Sequence, residues 1–240
     1  MNRYYAFTLA TLAALPALAQ APKPTAAQIL DKNVTASGGA AWQSVQSYVA
    51  QGTVSVVAQS IKGTVKVQAK APNKIAIEQK ITGVGDSLMG FNGTTGWSKD
   101  ISFGLRDLSG PELAALKAQA ALALRPASWK SVYTSATLVG TVKVNGAAAY
   151  RVKLTPKVGS PETQYFDVKT GLQVRADQVS ETPQGKIPVE SYPSDYRTVG
   201  GVKIPFKTRL LANNVEIIMQ FTDVKINVPL EDSGFAKPKE

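Results

Sequence analysis

Apolar and polar residues alternate with a period of two through most of the chain from Ser47 onward. In the stretch 65–70, valine and alanine alternate with Lys66, Gln68 and Lys70, and residues 202–210 repeat the pattern. Such alternation is typical of antiparallel strands that have one buried face and one solvated face. The pattern therefore constrains the chain to a largely β fold.

Short turn signals separate the alternating stretches. Asn145 with Gly146, and Gly200 with Gly201, are pairs that favour two-residue hairpins. Short connections make strands that are neighbours in sequence neighbours in the sheet. The sequence predicts a curled antiparallel sheet of about ten to eleven strands that forms an incomplete barrel, covered by two or three short helices.

Two segments interrupt the β pattern with a helical one. Thr25 and Gln28 form a capping box at the start of the first helix, which we expect to end at Gly38. The second helix is predicted over 111–124, with Ser109 as the N-cap and Glu112 returning the capping bond. Because each helix is short, it needs a sheet to cover its apolar side.

The first residues have the pattern of an export signal. Arg3 precedes an uncharged apolar run over 4–15, and Ala17-Leu18-Ala19 gives the small-residue pattern that signal peptidase recognises. The run is too short to span a hydrocarbon core of about 30 Å. We predict a signal peptide over 1–19, cut after Ala19 or alternatively after Ala21, and an exported protein in a bacterial periplasm without a transmembrane segment in the mature chain.

The rest of the chain is predicted to form one domain. We find no linker-like composition and no fixed-period repeat over 47–229. The predicted organisation is a tether over 20–24, a single domain over 25–229 and a polar tail over 230–240.

The composition excludes much of enzyme chemistry. The chain has no cysteine and no histidine, which removes disulfides, thiolate ligands, the usual zinc sites and His-dependent catalytic triads. The carboxylates are not spaced as a general acid and base pair. We therefore expect a protein that is not an enzyme and needs no metal and no cofactor. The carboxylates considered are Asp86, Asp100, Asp107, Asp167, Asp177, Glu190 and Asp195.

The chain is basic, with 27 lysines and arginines against 17 acidic residues and a net charge of +10. The cations fall at strand-like spacing rather than in runs, which indicates a solvated sheet face and no nucleic-acid partner. The alternative is a weak contact with anionic lipid head groups.

The apolar side of the curled sheet is the candidate binding region. Periodicity leaves two alternatives open, a cavity and an interior filled by the protein's own side chains. A hollow lined by medium-sized aliphatic residues would suit an acyl chain. The candidate cavity-lining residues are Val54, Val56, Val65, Val67, Ile75, Ile77, Tyr150, Val152, Leu154, Ile204, Phe206, Leu210, Ile217, Met219 and Phe221, and the candidate lid residues are Ile29, Leu30, Leu113 and Leu116.

Four stretches of the sequence resemble a known family. They are APNKIAIEQ at 71–79, GFNGTTGW at 90–97, YFDVKTGLQVR at 165–175 and DYRTVGGVKIPFKTR at 195–209. In their order they resemble the outer-membrane lipoprotein-sorting superfamily with the LolA/LolB-like fold, in particular its periplasmic sorting-like branch. The resemblance extends over about 25–229.

The resemblance implies an incomplete barrel that helices close over a hydrophobic cavity, where the acyl chains of a lipoprotein or lipid bind. Carriers of that family hold their lid helices with a basic residue on an early strand, and the corresponding region from Gln51 to Lys62 offers only Lys62. Two functions follow as alternatives. One is a periplasmic carrier of a lipid or lipoprotein acyl chain, and the other is a scaffold that docks an envelope protein while its cavity is collapsed.

Overall fold

The computed structural model describes residues 23–239. The predicted signal peptide over 1–19, both cleavage positions and most of the 20–24 tether lie outside the described residues. Within 23–239, none of the helices combines the length and the apolar character that a membrane span requires.

Thirteen antiparallel strands form one sheet in the described part of the chain. Their order is β6-β5-β4-β3-β2-β1-β13-β12-β11-β10-β9-β8-β7, so sequence neighbours pair and the last strand joins the first. The sheet is not closed, and β6 and β7 are its two edges. The strands are β1 Ser47–Val56, β2 Ile61–Lys70, β3 Lys74–Ile81, β4 Gly85–Phe91, β5 Gly96–Asp100, β6 Gly104–Asp107, β7 Tyr133–Val144, β8 Ala147–Pro156, β9 Glu162–Asp167, β10 Gln173–Thr182, β11 Gly185–Val199, β12 Val202–Ala212 and β13 Val215–Ile226.

The strand count exceeds the prediction partly because of the short hairpin β5–β6. Its strands have five and four residues, too few to show a clear alternation. A polar turn closes the hairpin instead, where Asp100 Oδ1 accepts hydrogen bonds from the backbone nitrogens of Ser102 and Phe103 at 2.8 and 2.9 Å. Turn chemistry rather than periodicity specifies this hairpin.

The sheet is curled, as the contacts of one helix show. The helix α2, Gly110–Ala123, contacts both β5 and β10, which stand eight strand spacings apart in the sheet order. A flat sheet would separate these strands by about 38 Å, whereas a helix of 14 residues is about 21 Å long. The predicted mainly β incomplete barrel is confirmed.

The first helix, α1, extends over Ala26–Ala36 and has the predicted capping box. Thr25 Oγ1 accepts a hydrogen bond from the Gln28 nitrogen at 3.2 Å, and the Thr25 nitrogen donates to Gln28 Oε1 at 2.8 Å. The buried side of α1 packs against strands β8 and β9 through Ile29 and Leu30. This helix covers one side of the sheet near the β7 edge.

The second helix begins one residue earlier than predicted, and the predicted capping bond from Glu112 is wrong. Ser109 is the N-cap but its side chain makes no capping hydrogen bond. Glu112 instead accepts two hydrogen bonds from the Arg106 guanidinium, at 2.7 and 2.9 Å. A bidentate ion pair of this kind is stronger than a neutral capping bond.

The helices define two faces of the sheet. We call the face on which α1 and α2 pack the inner face, and the opposite one the outer face. On the inner face, Leu116 of α2 packs against Ile75 and Phe91. The remaining helix, α3, is one short turn over Trp129–Val132, and 3₁₀ turns occupy Gly39–Ser44, Val57–Gln59, Pro126–Ser128 and Asp232–Phe235.

Aromatic and arginine side chains alternate across four adjacent strands of the outer face. The Arg175 guanidinium lies 5.1 Å from the Tyr165 ring centre and 5.3 Å from that of Tyr192, and Arg209 lies 4.1 Å from Tyr192. Cross-strand cation–π contacts of this type stabilise a sheet face that water reaches.

The segment predicted to be a polar tail packs onto the outer face instead. Phe235 is 1% exposed, and its carbonyl oxygen accepts a hydrogen bond from Trp97 Nε1 at 3.1 Å. The Asp232 carboxylate forms ion pairs with Lys70 at 2.8 Å and Lys74 at 2.7 Å. These contacts fasten the C-terminal residues to β2, β3 and β5.

We expect acid to loosen this C-terminal segment. The hydrogen bonds from Lys70 and Lys74 lower the pKa of Asp232 from 3.8 to about 2. A carboxylate whose folded pKa is depressed stabilises the fold above its unfolded pKa and loses that contribution as pH falls through the folded value. Denaturant unfolding should therefore show a smaller stability loss for Asp232→Asn than for the wild type between about pH 4 and pH 2.

The difference between the two proteins should be small because the Asp232 side chain is 65% exposed and solvent screens its ion pairs. Other carboxylates titrate in the same range in both proteins, so only the difference between them reports on Asp232. Identical pH profiles would show that the two ion pairs do not hold the segment.

Candidate functional site

The inner face has a packed half next to the helices. Ala50, Ala69, Val202 and Phe206 form one buried cluster there with Leu124, which follows α2. The side chains of this half contact one another and the helices, so they fill the curl at that end of the sheet.

The other half of the inner face carries a row of apolar side chains that stay partly exposed. Val56 of β1 lies opposite Ile61 of β2 on one side and opposite Ile217 of β13 on the other, and Ile217 lies opposite Leu210 of β12. All four residues are half-buried, and none belongs to a core cluster of the described residues. We call these four residues the apolar row.

The next register position extends this surface. Val54 lies opposite Met219, which is half-buried, while Val54 itself is 2% exposed. Four adjacent strands extend across about 14 Å at the usual strand spacing. The apolar row and Met219 therefore form a continuous apolar strip that solvent reaches.

The predicted cavity-lining residues all lie on the inner face but divide into two groups. The first group is buried among other side chains and consists of Val54, Val65, Ile75, Val152, Leu154, Ile204 and Phe206. The second group is half-buried and consists of Val56, Val67, Ile77, Tyr150, Leu210, Ile217, Met219 and Phe221. Only the second group offers surface to a ligand in this conformation.

The predicted lid residues lie on the two helices that pack on the inner face. Ile29, Leu30 and Leu116 are buried against the sheet, and Leu113 is half-buried. They cover the packed half and leave the apolar row to solvent.

Sequence reasoning missed two residues of this region. Ile61 begins β2 directly after a turn, where no alternation precedes it to reveal its face. Arg125 is the other, and its Nη1 donates to the carbonyl oxygens of Trp42, Val45 and Leu124 at 3.0, 2.8 and 2.7 Å. Its position between the end of a predicted helix and Pro126 was the sequence feature that could have indicated a role at the helix end.

Arg125 ties the end of α2 to the 3₁₀ turn before β1. The three carbonyls lie at the ends of a helix and a turn, where a charged donor can bind them together; the Trp42 oxygen also accepts from the Val45 nitrogen at 3.3 Å. Lys62, the basic residue of the early strand, is exposed and lies away from this contact. The basic residue that fastens the helical segments is therefore Arg125, which follows α2, and not a residue of an early strand.

Six of the seven carboxylates considered for catalysis have structural partners, and the seventh, Asp86, is exposed near the tip of the β3–β4 hairpin. Asp167 caps its own turn, where the backbone nitrogen of Thr170 lowers the pKa of its carboxyl group. Asp177 and Glu190 both pair with Arg175. Asp100 caps the β5–β6 turn, Asp107 pairs with Lys237 and Asp195 pairs with Arg197. Among residues 23–239, no three acidic side chains form a group that could hold a metal ion.

Two surface hollows lie away from the apolar row. One, of about 410 Å³, is lined mainly by polar side chains that include Thr53, Thr64 and Lys66. The other, of about 320 Å³, lies between α1, α3 and β7 beside Trp129 and Tyr133. The apolar row itself is an open strip rather than part of either hollow.

Comparison with known structures identifies the architecture. A LolA superfamily protein from Nitrosomonas europaea superposes with a TM-score of 0.58 at 16% identity, over 90% of this chain and 99% of that one. The chain has the LolA-like fold. A domain from Vibrio parahaemolyticus named for outer membrane lipoprotein sorting gives a TM-score of 0.57 at 10% identity, over 87% of this chain and 95% of that one.

A DUF1329 family protein from Desulfovibrio piger has the same LolA-like fold, with a TM-score of 0.58 at 15% identity over 88% of this chain and 97% of that one. No family model matches the sequence, and no curated protein matches it. At these identities the similarity establishes the fold alone.

Proposed function

We propose that this protein is a non-enzymatic carrier or binding protein that shelters the acyl part of a lipid or lipoprotein on its inner face. The observation that carries the proposal is the apolar row of Val56, Ile61, Leu210 and Ile217, which stays half-exposed on four adjacent strands. Aliphatic side chains without polar neighbours in the row suit a hydrocarbon chain and offer no hydrogen bonds to a polar one.

Burial of an acyl chain supplies enough affinity for a transient carrier. About ten methylenes at about 0.8 kcal/mol each give about 8 kcal/mol. Ordering of the chain and loss of its freedom reduce that figure. The remaining free energy suits a ligand that is bound and then released.

The signal-like residues 1–19 and the LolA-like fold also support the proposal. An exported protein of the periplasm meets lipids and lipoproteins of the cell envelope. We therefore propose that the protein acts in the periplasm and that its partner is a lipid or a lipoprotein.

Lipid analysis of the purified protein tests this proposal. Protein isolated from its own cell envelope should carry lipid that mass spectrometry detects, and fatty acids or phospholipids should raise its melting temperature. Ile217→Glu should lower the bound lipid about tenfold or more, because a carboxylate in the row would have to be desolvated beneath the ligand.

The neighbouring residue provides a matched control. Ile218 lies on the outer face, opposite Ser55 and Arg209, and is also half-buried. Ile218→Glu should leave the bound lipid unchanged. Wild-type protein that is empty and shows no thermal shift, or equal lipid loss in both variants, would contradict the proposal.

One observation favours the alternative of an envelope protein scaffold. The edge strand β7 has 12 residues and pairs with β8 on one edge only; its other edge has no partner strand among the described residues. Such an edge can accept an extended segment of another protein. A pulldown that retains one defined protein and no lipid would favour this alternative over the carrier.

A further inference from the structure

Exposed large apolar side chains are concentrated at one end of the sheet. Six large apolar side chains are exposed among the described residues, and five of them lie in the connections that follow β1, β3, β5 and β8. These four strands run in the same direction in the antiparallel order, so their connections lie at one end. The five are Val57, Val84, Ile101, Phe103 and Val158, with exposed fractions of 47, 44, 71, 40 and 54%.

This end is also where the apolar row opens to solvent. Val57 follows Val56 directly, and Ile61 begins the next strand. The tips of the β3–β4 and β5–β6 hairpins touch there, because a Cβ placed on Gly85 would lie 2.6 Å from Ile101 Cγ2. We call Val57, Val84, Ile101 and Phe103, on the hairpins β1–β2, β3–β4 and β5–β6, the apolar rim.

We infer that the apolar rim docks this protein on an anionic lipid bilayer, with the open end of the apolar row turned toward the lipid. The inference rests on the proposed function and deepens it by naming the source of the ligand. Docked in this way, an acyl chain could pass between bilayer and row without crossing bulk water.

The spacing of the rim favours a bilayer over a protein partner. Polar or small residues separate the apolar ones on each tip, with Ala58 to Ser60 on the first, Thr82 and Gly83 on the second and Ser102 on the third. A specific protein interface has a contiguous, close-packed core. Lipid deforms around each side chain separately, so a bilayer can bury the tips one by one.

The net charge of the chain favours an anionic surface over a neutral one. The whole chain carries +10, and Lys62 and Lys99 flank the tips without an ion-pair partner among the described residues, whereas the nearby Lys80 pairs with Glu78 at 2.9 Å. Asp86 and Asp100 lie on the same hairpins, and the turn of the β5–β6 hairpin already uses the Asp100 carboxylate as an acceptor. Each lysine close to the surface adds attraction to anionic lipids.

Vesicle flotation tests the inference. The full mature chain should float with vesicles of phosphatidylethanolamine and phosphatidylglycerol and bind less to vesicles of phosphatidylcholine. Ile101→Ser with Phe103→Ser should lower binding to the anionic vesicles about tenfold, because two apolar side chains no longer enter the lipid. Val139→Ser, at the 46% exposed valine of the β7 edge, is the control and should leave binding unchanged.

The same variants separate docking from ligand binding. The rim variant should retain the thermal shift with fatty acids, while Ile217→Glu should lose that shift and still bind vesicles. Equal vesicle binding by wild type, rim variant and control, or no binding to anionic vesicles by the wild type, would overturn the inference. A wild type that binds anionic vesicles but shows no thermal shift with fatty acids would contradict only the proposed function.

Discussion

Phe235→Ala is expected to lower the free energy of unfolding by about 3–5 kcal/mol, the usual cost of truncating a fully buried phenylalanine. Phe235 is 1% exposed and is the apolar side chain that inserts the C-terminal segment into the outer face beside Trp97. Its truncation leaves a cavity and weakens the hold of that segment on the sheet. Denaturant unfolding monitored by tryptophan fluorescence measures the loss.

Phe103→Ala is the matched control for this prediction. Phe103 is 40% exposed on a hairpin tip, so its truncation should cost less than about 1 kcal/mol. If both variants lost the same stability, burial of Phe235 would not explain its contribution and the segment would not be part of the cooperative fold.

Gly63→Ala should destabilise the protein by about 1–3 kcal/mol and weaken acyl-chain binding with it. A Cβ at Gly63 would lie 2.1 Å from the Lys80 carbonyl oxygen and 2.9 Å from the Ile81 Cα, both backbone atoms of β3. The clash cannot be relieved by a side-chain rotation, so β2 and β3 have to separate. Since Ile61 lies two residues before Gly63, this separation displaces one end of the apolar row.

Gly234→Ala serves as the comparison because a Cβ there meets nothing within 4 Å and its backbone is not left-handed. We expect a change within about 0.5 kcal/mol for that variant. Circular dichroism, thermal unfolding and fatty-acid thermal shifts on both proteins measure the effects. A Gly63→Ala protein as stable as Gly234→Ala would show that the close approach of β2 and β3 is not needed.

Local chemistry explains which predictions from the sequence succeeded. The Thr25–Gln28 capping box depends on residues three apart, and the structure contains it. Asn145 with Gly146, and Gly200 with Gly201, have positive φ and form the expected turns. The capping prediction failed because a group outside the local motif competed: Arg106, six residues before Glu112, binds its carboxylate.

The site was only partly predictable for a related reason. The period of two placed fifteen candidates on the inner face but could not separate Ile75, which α2 buries, from Ile217, which stays half-exposed. That difference depends on where the helices come to lie. Arg125 was missed because two of the three carbonyls that it binds, those of Trp42 and Val45, are distant in sequence. The burial of Phe235 was missed because its partner Trp97 is also distant in sequence.

The sequence by itself determined the strands with a clear alternation, their hairpin order and the face that most of their side chains take. These properties follow from backbone pleating and turn chemistry, which act over a few residues. The tertiary structure alone decided how far the sheet curls, which part of the inner face the helices cover and where the apolar row meets solvent. These properties depend on packing between residues far apart in the chain, and no local pattern records that packing.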